Sequence, residues 1–262
     1  MIVMKYGGHA LPSGGAIDPV LELIAEQHLS GQSIVLTHGG GPQINEALTK
    51  VGIAKEMIGG YRKTTPEVFE IVQEVLSGKV LRTIVNQLIS FGVDAVGLSA
   101  ADGNLTRAVR MQVDIAGKST DIGLVGDIQS ADATILNLLL EARKLPVISP
   151  IGVSASGQGL NLNADLVAGA VGGALGAQCV FFMTDVAGIY RNWPDQNSLI
   201  SEISAEELAS IAPLFAEGMV PKVKAALAAL SHGAASVRIF DGRNVDNLRA
   251  AFAGIGGTLV SK

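Results

Sequence analysis

The chain has 262 residues, 48% of them apolar, and a formal net charge of −5. That is enough to fill the core of one large α/β domain or of two closely packed lobes. With no Lys/Arg-rich run to offset the acidic balance, the chain lacks the electrostatic footprint of a nucleic-acid or anionic-membrane binder.

Ile2-Val3-Met4-Lys5-Tyr6 predicts a short buried strand that runs into Gly7-Gly8, and Lys5 ends its apolar part too early for an export signal. Val20, Leu21, Leu23 and Ile24 recur at helical spacing, which predicts a helix over Pro19 to Leu29. A second β-branched run, Ser33 to Thr37, leads to His38-Gly39-Gly40-Gly41-Pro42 and directly into the helical pattern Ile44-Asn45-Glu46-Ala47-Leu48. Two strand-glycine-helix units in succession imply a parallel sheet covered on both faces. Side-chain-free residues between a buried strand and a helix expose backbone N–H groups at the positive end of the helix dipole, where a phosphoryl group or a carboxylate fits. For three glycines alone, a tight turn needing positive φ is the alternative. Neither turn reads Gly-x-Gly-x-x-Gly or carries the Gly-Lys-Ser/Thr of a P-loop, which disfavours both dinucleotide enzymes and P-loop NTPases. Lys5, at the carboxyl end of its strand with glycines behind it, can reach a phosphate.

Ile58 to Lys63 reads as a short hairpin or loop, with Arg62 either a forked carboxylate clamp or an exposed surface arginine. Thr65-Pro66-Glu67 opens a helix as N-cap, first-turn proline and acidic residue. From there the pairs Val68/Phe69, Ile71/Val72, Val75/Leu76, Val80/Leu81, Ile84/Val85 and Leu88/Ile89 form one apolar stripe. A helix of about 25 residues spans roughly 37 Å, long enough to pack against a second subunit as well as within its own domain. Asp94 to Ser99 predicts a strand, Asp102-Gly103-Asn104 a turn, and the segment to Ile128 several short strands. Ala131 to Ala142 reads as an amphipathic helix carrying Leu136, Leu139 and Leu140, and Pro146 to Gly152 as one strand bounded by prolines and glycine.

Asn161-Leu162-Asn163-Ala164-Asp165 sets two amides and a carboxylate at the start of a helix, where Asp165 taken alone reads as an N-cap. Leu166 to Met183 is apolar enough to invite a membrane reading, but it is rich in Ala and Gly and holds Gln178 between Asp165 and Asp185. It predicts a small-residue buried helix, a break at Gly176-Ala177 and a core strand. Cys179, the single cysteine, begins that strand and reads as a buried structural thiol in a reducing cytoplasm. A loop over Thr184 to Tyr190 follows, then a polar excursion through Trp193-Pro194-Asp195 and a helix over Ala205 to Ile211. Beyond Gly218, another helix carries Lys222 in its first turns, an unfavourable end for a cation unless an anion sits there too. Strand Ser236 to Phe240, helix Val245 to Phe252 and strand Gly257 to Val260 close the chain. The four histidines are scattered without a His-Glu-x-x-His pattern, so no protein-built metal site is expected.

Taken together, Lys5-Tyr6-Gly7-Gly8-His9-Ala10, His38-Gly39-Gly40-Gly41-Pro42, Tyr61-Arg62, Val96-Gly97-Leu98-Ser99, Asn161 to Asp165, Thr184-Asp185-Val186-Ala187-Gly188 and Gly218-Met219-Val220-Pro221-Lys222 resemble the amino-acid kinase family. Among its branches, the chain is most similar to the one that phosphorylates the side-chain carboxylate of N-acetyl-L-glutamate with ATP, in arginine biosynthesis. The likeness runs in order over essentially the whole chain. It implies a three-layer α/β sandwich with a central, mostly parallel sheet flanked by helices. An acceptor-binding lobe would span about residues 1–155 and an ATP-binding lobe about 156–262.

The resemblance also implies roles. Lys5 and Lys222 would neutralise the phosphoryl group in flight, with Asp165 holding both. Gly7, Gly8, Gly40 and Gly41 would offer backbone N–H groups to phosphates and acceptor, and Arg62 and Asn161 would hold the acetylated amino acid. Asp185, Val186, Ala187, Gly188, Ile189 and Tyr190, with Gly218 and Met219, would line the ATP site, and Mg²⁺ would ride on the nucleotide. Two departures from the family pattern, Lys63 after the arginine and Ala100 in place of a frequent glycine, bear on the acceptor side. The chain begins four residues before Lys5, without the N-terminal helical extension of arginine-inhibited members. A cytoplasmic homodimer, paired through the helix at about 66–91 and insensitive to arginine, is therefore expected. A sibling kinase for another carboxylate, such as carrier-linked aminoadipate, and a catalytically silent amino-acid or nucleotide sensor are the rivals.

Overall fold

A computed structural model describes residues 1–7, 16–115, 117–215 and 219–262. Its centre is β1 (Ile2–Tyr6), paired in parallel with β2 (Ile34–His38) on one side and β11 (Cys179–Thr184) on the other. Beyond β2 the sheet continues through β8 (Leu145–Ser149) to an edge strand, β5 (Ala95–Ser99). Beyond β11 it continues through β13 (Ser236–Asp241) and β14 (Thr258–Ser261) to β12 (Glu202–Ser204). β13 and β14 run antiparallel, and the other neighbouring pairs are parallel. The strands read as apolar runs because both faces are covered: Val3, Met4, Ile34, Val35, Leu36, Val180 and Phe182 are all fully buried.

Helices flank this sheet. α6 (Ala164–Ala174) rests on β1, β2 and β11 with α8 (Val220–Ser231) beside it, while α1 (Pro19–Leu29) packs with α4 (Leu81–Ser90) and α9 (Val245–Phe252). α1 starts where its sequence signals place it: Asp18 caps it by accepting the Val20 N–H at 2.8 Å, and Pro19 opens the first turn. The same buried carboxylate accepts the hydroxyl of Tyr6 from the end of β1. Burial pushes the phenol of Tyr6 well above its ordinary range, with the neighbouring Asp18 charge adding to the shift. Gln87 of α4 completes the clasp, accepting from the Asp18 N–H at 3.3 Å and donating to the carbonyl of Ala16 at 3.0 Å.

From β1 the chain builds the sheet outward through β2 on one side, and later through β11 on the other. The strand order therefore reverses beside β1, and in open α/β sheets such a reversal marks a crevice at the carboxyl ends of the strands. Gly7 after β1 and the glycines after β2 lie at that edge, and so does Asp185 after β11.

A second sheet, ordered β6 (Thr106–Ile115), β7 (Lys118–Ala131), β10 (Gly159–Asn161) and β9 (Ile151–Val153), stands beside the first, with a small hairpin of β3 (Met57–Ile58) and β4 (Tyr61–Arg62). Here the structure corrects the sequence reading. The segment to Ile128 forms one long antiparallel hairpin rather than several short strands. Its internal glycines are sites of close approach, not turns: a side chain at Gly126 would meet Leu162 at 2.5 Å, and at Gly123, with φ +80°, it would strike the carbonyl of Thr64. The strand expected over Pro146 to Gly152 splits at Pro150, sending β8 to the main sheet and β9 to the second. The helix expected over Ala131 to Ala142 is shorter, α5 (Thr134–Glu141), because Asp132 accepts the Thr134 N–H and stops it from extending backwards. The long helix is continuous over residues 66–90 but contains a π-helical segment, Glu74–Val80, between α3 (Pro66–Gln73) and α4.

Two predictions follow from this packing. α6 and α8 touch through glycine: a Cβ at Gly169 would lie 2.7 Å from the carbonyl oxygen of Ala225. Gly169→Val is expected to lower the unfolding free energy by about 1–3 kcal/mol in a urea titration, the usual cost of overpacking. His38, at the end of β2, is buried; its Nδ1–H donates to the Gly39 carbonyl at 2.8 Å, and Nε2 has no partner among the described residues. Burial pushes its imidazole down from 6.5 to about 4, against a smaller opposing pull from the Gly39 bond. Between those values the unfolded chain carries a proton that the folded chain refuses. The His38 contribution to stability is thus complete above pH 6.5 and falls as pH drops towards 4, by about 3 kcal/mol in all. Urea unfolding of His38→Gln should show a shallower loss between pH 7 and pH 4 than the parent chain, and identical pH profiles would contradict this.

Candidate active site

Asn163, not Asp165, caps α6: its side-chain oxygen accepts the N–H groups of Asp165 at 2.8 Å and Leu166 at 3.3 Å. The carboxylate of Asp165 is thereby free for another duty. Its Oδ2 accepts from Lys222 Nζ at 3.2 Å, and its Oδ1 lies 3.3 Å from Lys5 Nζ, close enough for an ion pair though not aligned as a hydrogen bond. The side chain of Asp165 is 7% exposed, that of Lys5 12% and that of Lys222 18%. Burial pushes the Asp165 carboxyl up, but the charges of Lys5 and Lys222 outweigh it and hold the group below its ordinary value. Two ammonium groups and one carboxylate leave a net positive charge. Asp165 and Lys222 sit in the amino-terminal turns of α6 and α8, so two helix dipoles reinforce that charge, while Lys5 comes from β1.

This cluster lines a cleft of about 590 Å³. The lining falls into two chemical groups. The polar one comprises Lys5, Gly7, Gly39, Gly40, Gly41, Asn163, Asp165 and Lys222; the other, richer in apolar and aromatic surface, includes Met183, Val186, Tyr190, Trp193, Phe215 and Met219. Asp185 lines the cleft as well. α2 (Gly41–Lys50) begins at the glycine run with no side-chain cap, which leaves its first N–H groups for an anion. Gly40 packs closely on the π-helical segment: a Cβ there would lie 2.5 Å from the end of the Leu76 side chain, which would have to shift.

A smaller cavity of about 210 Å³ shares Gly39, Gly40, Gly41, Asn163 and Ala164 with the first and adds Tyr61, Arg62 and Asn161. Arg62 Nη2 donates to Asn45 Oδ1 at 2.6 Å and to the Gly41 carbonyl at 3.4 Å, while its buried Nη1 has no partner among the described residues. Asn161 donates to Thr64 Oγ1 at 3.1 Å, and that hydroxyl in turn donates to the Arg62 carbonyl at 2.8 Å. A guanidinium with an unpartnered nitrogen beside a small, largely apolar cavity suits a carboxylate.

Of the residues anticipated from sequence, Lys5, Gly7, Gly40, Gly41, Asp165, Asp185, Val186, Tyr190, Met219 and Lys222 thus meet at the large cleft, and Arg62 and Asn161 at the small one. Three do not line either. Ile189 is fully buried and its N–H donates to Thr258 Oγ1 at 2.8 Å; Gly188 packs against Thr258 and Leu199; Ala187 is exposed outside the cleft. The loop is pinned to β14, so only its ends reach the cleft. Gly8 and Gly218 lie outside the described residues. Asn45, Asn163, Trp193, Phe215 and the pair Gly242-Arg243 were not anticipated. The last pair was within reach, because it follows the parallel strand β13 as Gly7 follows β1. Among the described residues no group of three or more His, Cys, Asp or Glu gathers to hold a metal ion, and no helix is long and apolar enough to cross a membrane.

The sequence profile of the amino acid kinase family matches residues 1–241. The acetylglutamate kinase of Salinispora tropica is 44% identical over 247 residues, which cover 92% of this chain and 82% of the relative. That of Corynebacterium glutamicum is 41% identical over 257 residues, covering 98% and 87%. An N-acetylglutamate synthase from Neisseria gonorrhoeae, solved with coenzyme A and N-acetyl-glutamate, matches the whole of this chain with a TM-score of 0.84 at 27% identity, over 59% of its own length. A Giardia lamblia carbamate kinase bound to AMP-PNP shares the fold, with a TM-score of 0.68 at 19% identity over 100% of this chain and 98% of its own. With a central, mostly parallel sheet, a glycine-rimmed cleft and relatives of this closeness over nearly its full length, the chain belongs to the amino acid kinase family.

Proposed function

We propose that the chain transfers the γ-phosphoryl group of ATP to the side-chain carboxylate of N-acetyl-L-glutamate, forming N-acetyl-L-glutamyl 5-phosphate in arginine biosynthesis. The observation that carries this reading is the Lys5–Asp165–Lys222 cluster at a cleft that shares its glycine run with a cavity bearing an unpaired guanidinium edge. The close relatives that bear the name acetylglutamate kinase support the same acceptor.

Phosphoryl transfer to a carboxylate brings two anions together, so the barrier falls when fixed positive charge waits where the negative charge accumulates. Lys5 and Lys222 supply that charge, and Asp165 fixes the two ammonium groups in relation to each other. The backbone N–H of Gly7 serves the nucleotide phosphates, and those of Gly40 and Gly41 the acceptor carboxylate. Arg62 and Asn161 hold the rest of the acetylated amino acid in the small cavity. An ionised carboxylate is already nucleophilic, so no general base is needed. The nucleotide lies along Asp185, Val186, Tyr190 and Met219, with the Ala187–Ile189 turn shaping the loop from behind. Mg²⁺ enters on the ATP phosphates. On this reading the acceptor belongs to a lobe over about 1–155 and ATP to one over about 156–262. A homodimer through the helical residues 66–91 is part of the proposal, supported by Ile89, a large apolar side chain of that helix left 54% exposed. The protein would act in a reducing cytoplasm, where burial, which pushes the Cys179 thiol up, keeps it inert.

An ATP-dependent hydroxamate assay offered acetylglutamate, glutamate, aspartate and aminoadipate tests the assignment. Acetylglutamate is expected to turn over fastest by a wide margin; preference for another acceptor would move the chain to a sibling activity, and no turnover would make it a sensor. Lys222→Ala is expected to lower kcat by about two or three orders of magnitude. In contrast, Arg62→Ala should chiefly raise the acetylglutamate KM, by about tenfold or more. Sedimentation velocity should give a dimer.

A further inference from the structure

Trp193 is the one tryptophan of the sequence, and it lines the large cleft while remaining 62% exposed. A bare indole on a floppy loop would mean little, but this one sits on a braced segment. The Arg191 N–H donates to the Ser198 carbonyl at 2.8 Å, and the Asn192 N–H donates to Ser198 Oγ at 3.0 Å. Arg191 Nη2 reaches Glu207 of α7 (Ala205–Ile211) at 2.6 Å, and Tyr190 bridges to Leu199. The Tyr190 ring meets the indole edge-on, with centroids 5.1 Å apart. The indole is therefore fixed from the backbone and from one neighbour before any ligand arrives, and most of its surface is still open to the cleft and to solvent.

The rest of the lining says what could cover it. The cationic side chains there are Lys5, Lys222 and Arg243, and Arg243 is already engaged by Asp241, through contacts of 2.9 and 2.7 Å. The two lysines converge on Asp165 and gather phosphates at that point. A base attached to those phosphates then meets the other part of the lining, where Tyr190, Trp193, Phe215 and Met219 stand among apolar surface, with Asp185 also present. Flat aromatic rings gain from stacking on an uncovered indole, and a platform ordered beforehand loses little entropy when the partner arrives. We propose that Trp193 is the platform on which the purine base of the nucleotide stacks, and that it sets a preference for purine over pyrimidine triphosphates. This inference rests on the nucleotide reading given under the proposed function.

The test uses the full chain and its single indole. Wild-type emission is titrated with the magnesium salts of ATP and CTP, and calorimetry with the same nucleotides is run on the wild type, Trp193→Phe and Trp193→Ala. Circular dichroism establishes that the variants are folded. ATP should shift the emission saturably, at the dissociation constant that calorimetry gives. Trp193→Ala should weaken ATP binding about tenfold and Trp193→Phe about threefold or less, as expected for loss or retention of a stacking ring. The gap between ATP and CTP should narrow in Trp193→Ala, and the acetylglutamate KM should stay within about twofold. ATP binding of unchanged strength in Trp193→Ala, with wild-type emission unmoved, would overturn the platform while leaving the kinase reading in place. Stacking together with phosphorylation of a different acceptor would overturn only the acceptor assignment, and absence of ATP binding would overturn both.

Discussion

One buried carboxylate holds two ammonium groups from opposite ends of the chain, and the arrangement of the protein is intelligible from that constraint. Asp165 cannot stay ionised in its buried position without compensation, and Lys5 and Lys222 provide it. Each lysine in turn would repel the other without the carboxylate between them. The cluster keeps a surplus positive charge in the lining of a cleft, which is an unfavourable state for a folded chain unless an anion visits. Its persistence is best understood as stability given up for preorganisation.

Packing places the three groups. β1 brings Lys5 to the carboxyl edge of the sheet, and α6, lying on β1, β2 and β11, delivers Asp165 over the same edge. α8 brings Lys222 because glycine lets it approach α6 closely, with Gly169 facing the carbonyl of Ala225. A second chain of contacts serves the smaller cavity. The π-helical segment presses Leu76 onto Gly40, and the second sheet holds Asn161 and, through Thr64, the strand that carries Arg62. The glycine run between the two cavities is thus braced by side-chain packing on one side and lines both cavities on the other.

Much of this was legible in the sequence. The bounds of α1, α7 and α9 agree with the periodic segments Pro19–Leu29, Ala205–Ile211 and Val245–Phe252, because their helical spacing and polar starts agree with the tertiary fold. The π-helical segment also left a trace: the apolar pairs step by three or four residues except between Val75/Leu76 and Val80/Leu81, where the step is wider. The β6–β7 hairpin was obscured because Gly123 and Gly126 look like turn signals, and only the three-dimensional neighbours reveal close packing as their reason. Asp165 was ambiguous for a similar cause. An acid at a helix start reads as a cap, and only the structure gives that task to Asn163 two residues earlier. The union of Lys5 with Lys222 lay beyond any periodic pattern; it was visible in the family resemblance alone, as contacts this distant in sequence are set by topology. Asn45 and Trp193 carried no motif, and only their neighbours in space give them a role.

The claim at the centre of this account is that both ammonium groups act on one migrating phosphate. A double-mutant cycle on kcat/KM with Lys5→Ala, Lys222→Ala and the combined variant measures this most directly. If both lysines serve a single phosphoryl group through one shared carboxylate, the double variant should lose little more than the worse single variant, because groups that act as a unit are strongly non-additive. Losses that simply multiply would mean that the two lysines work independently, and would contradict the account.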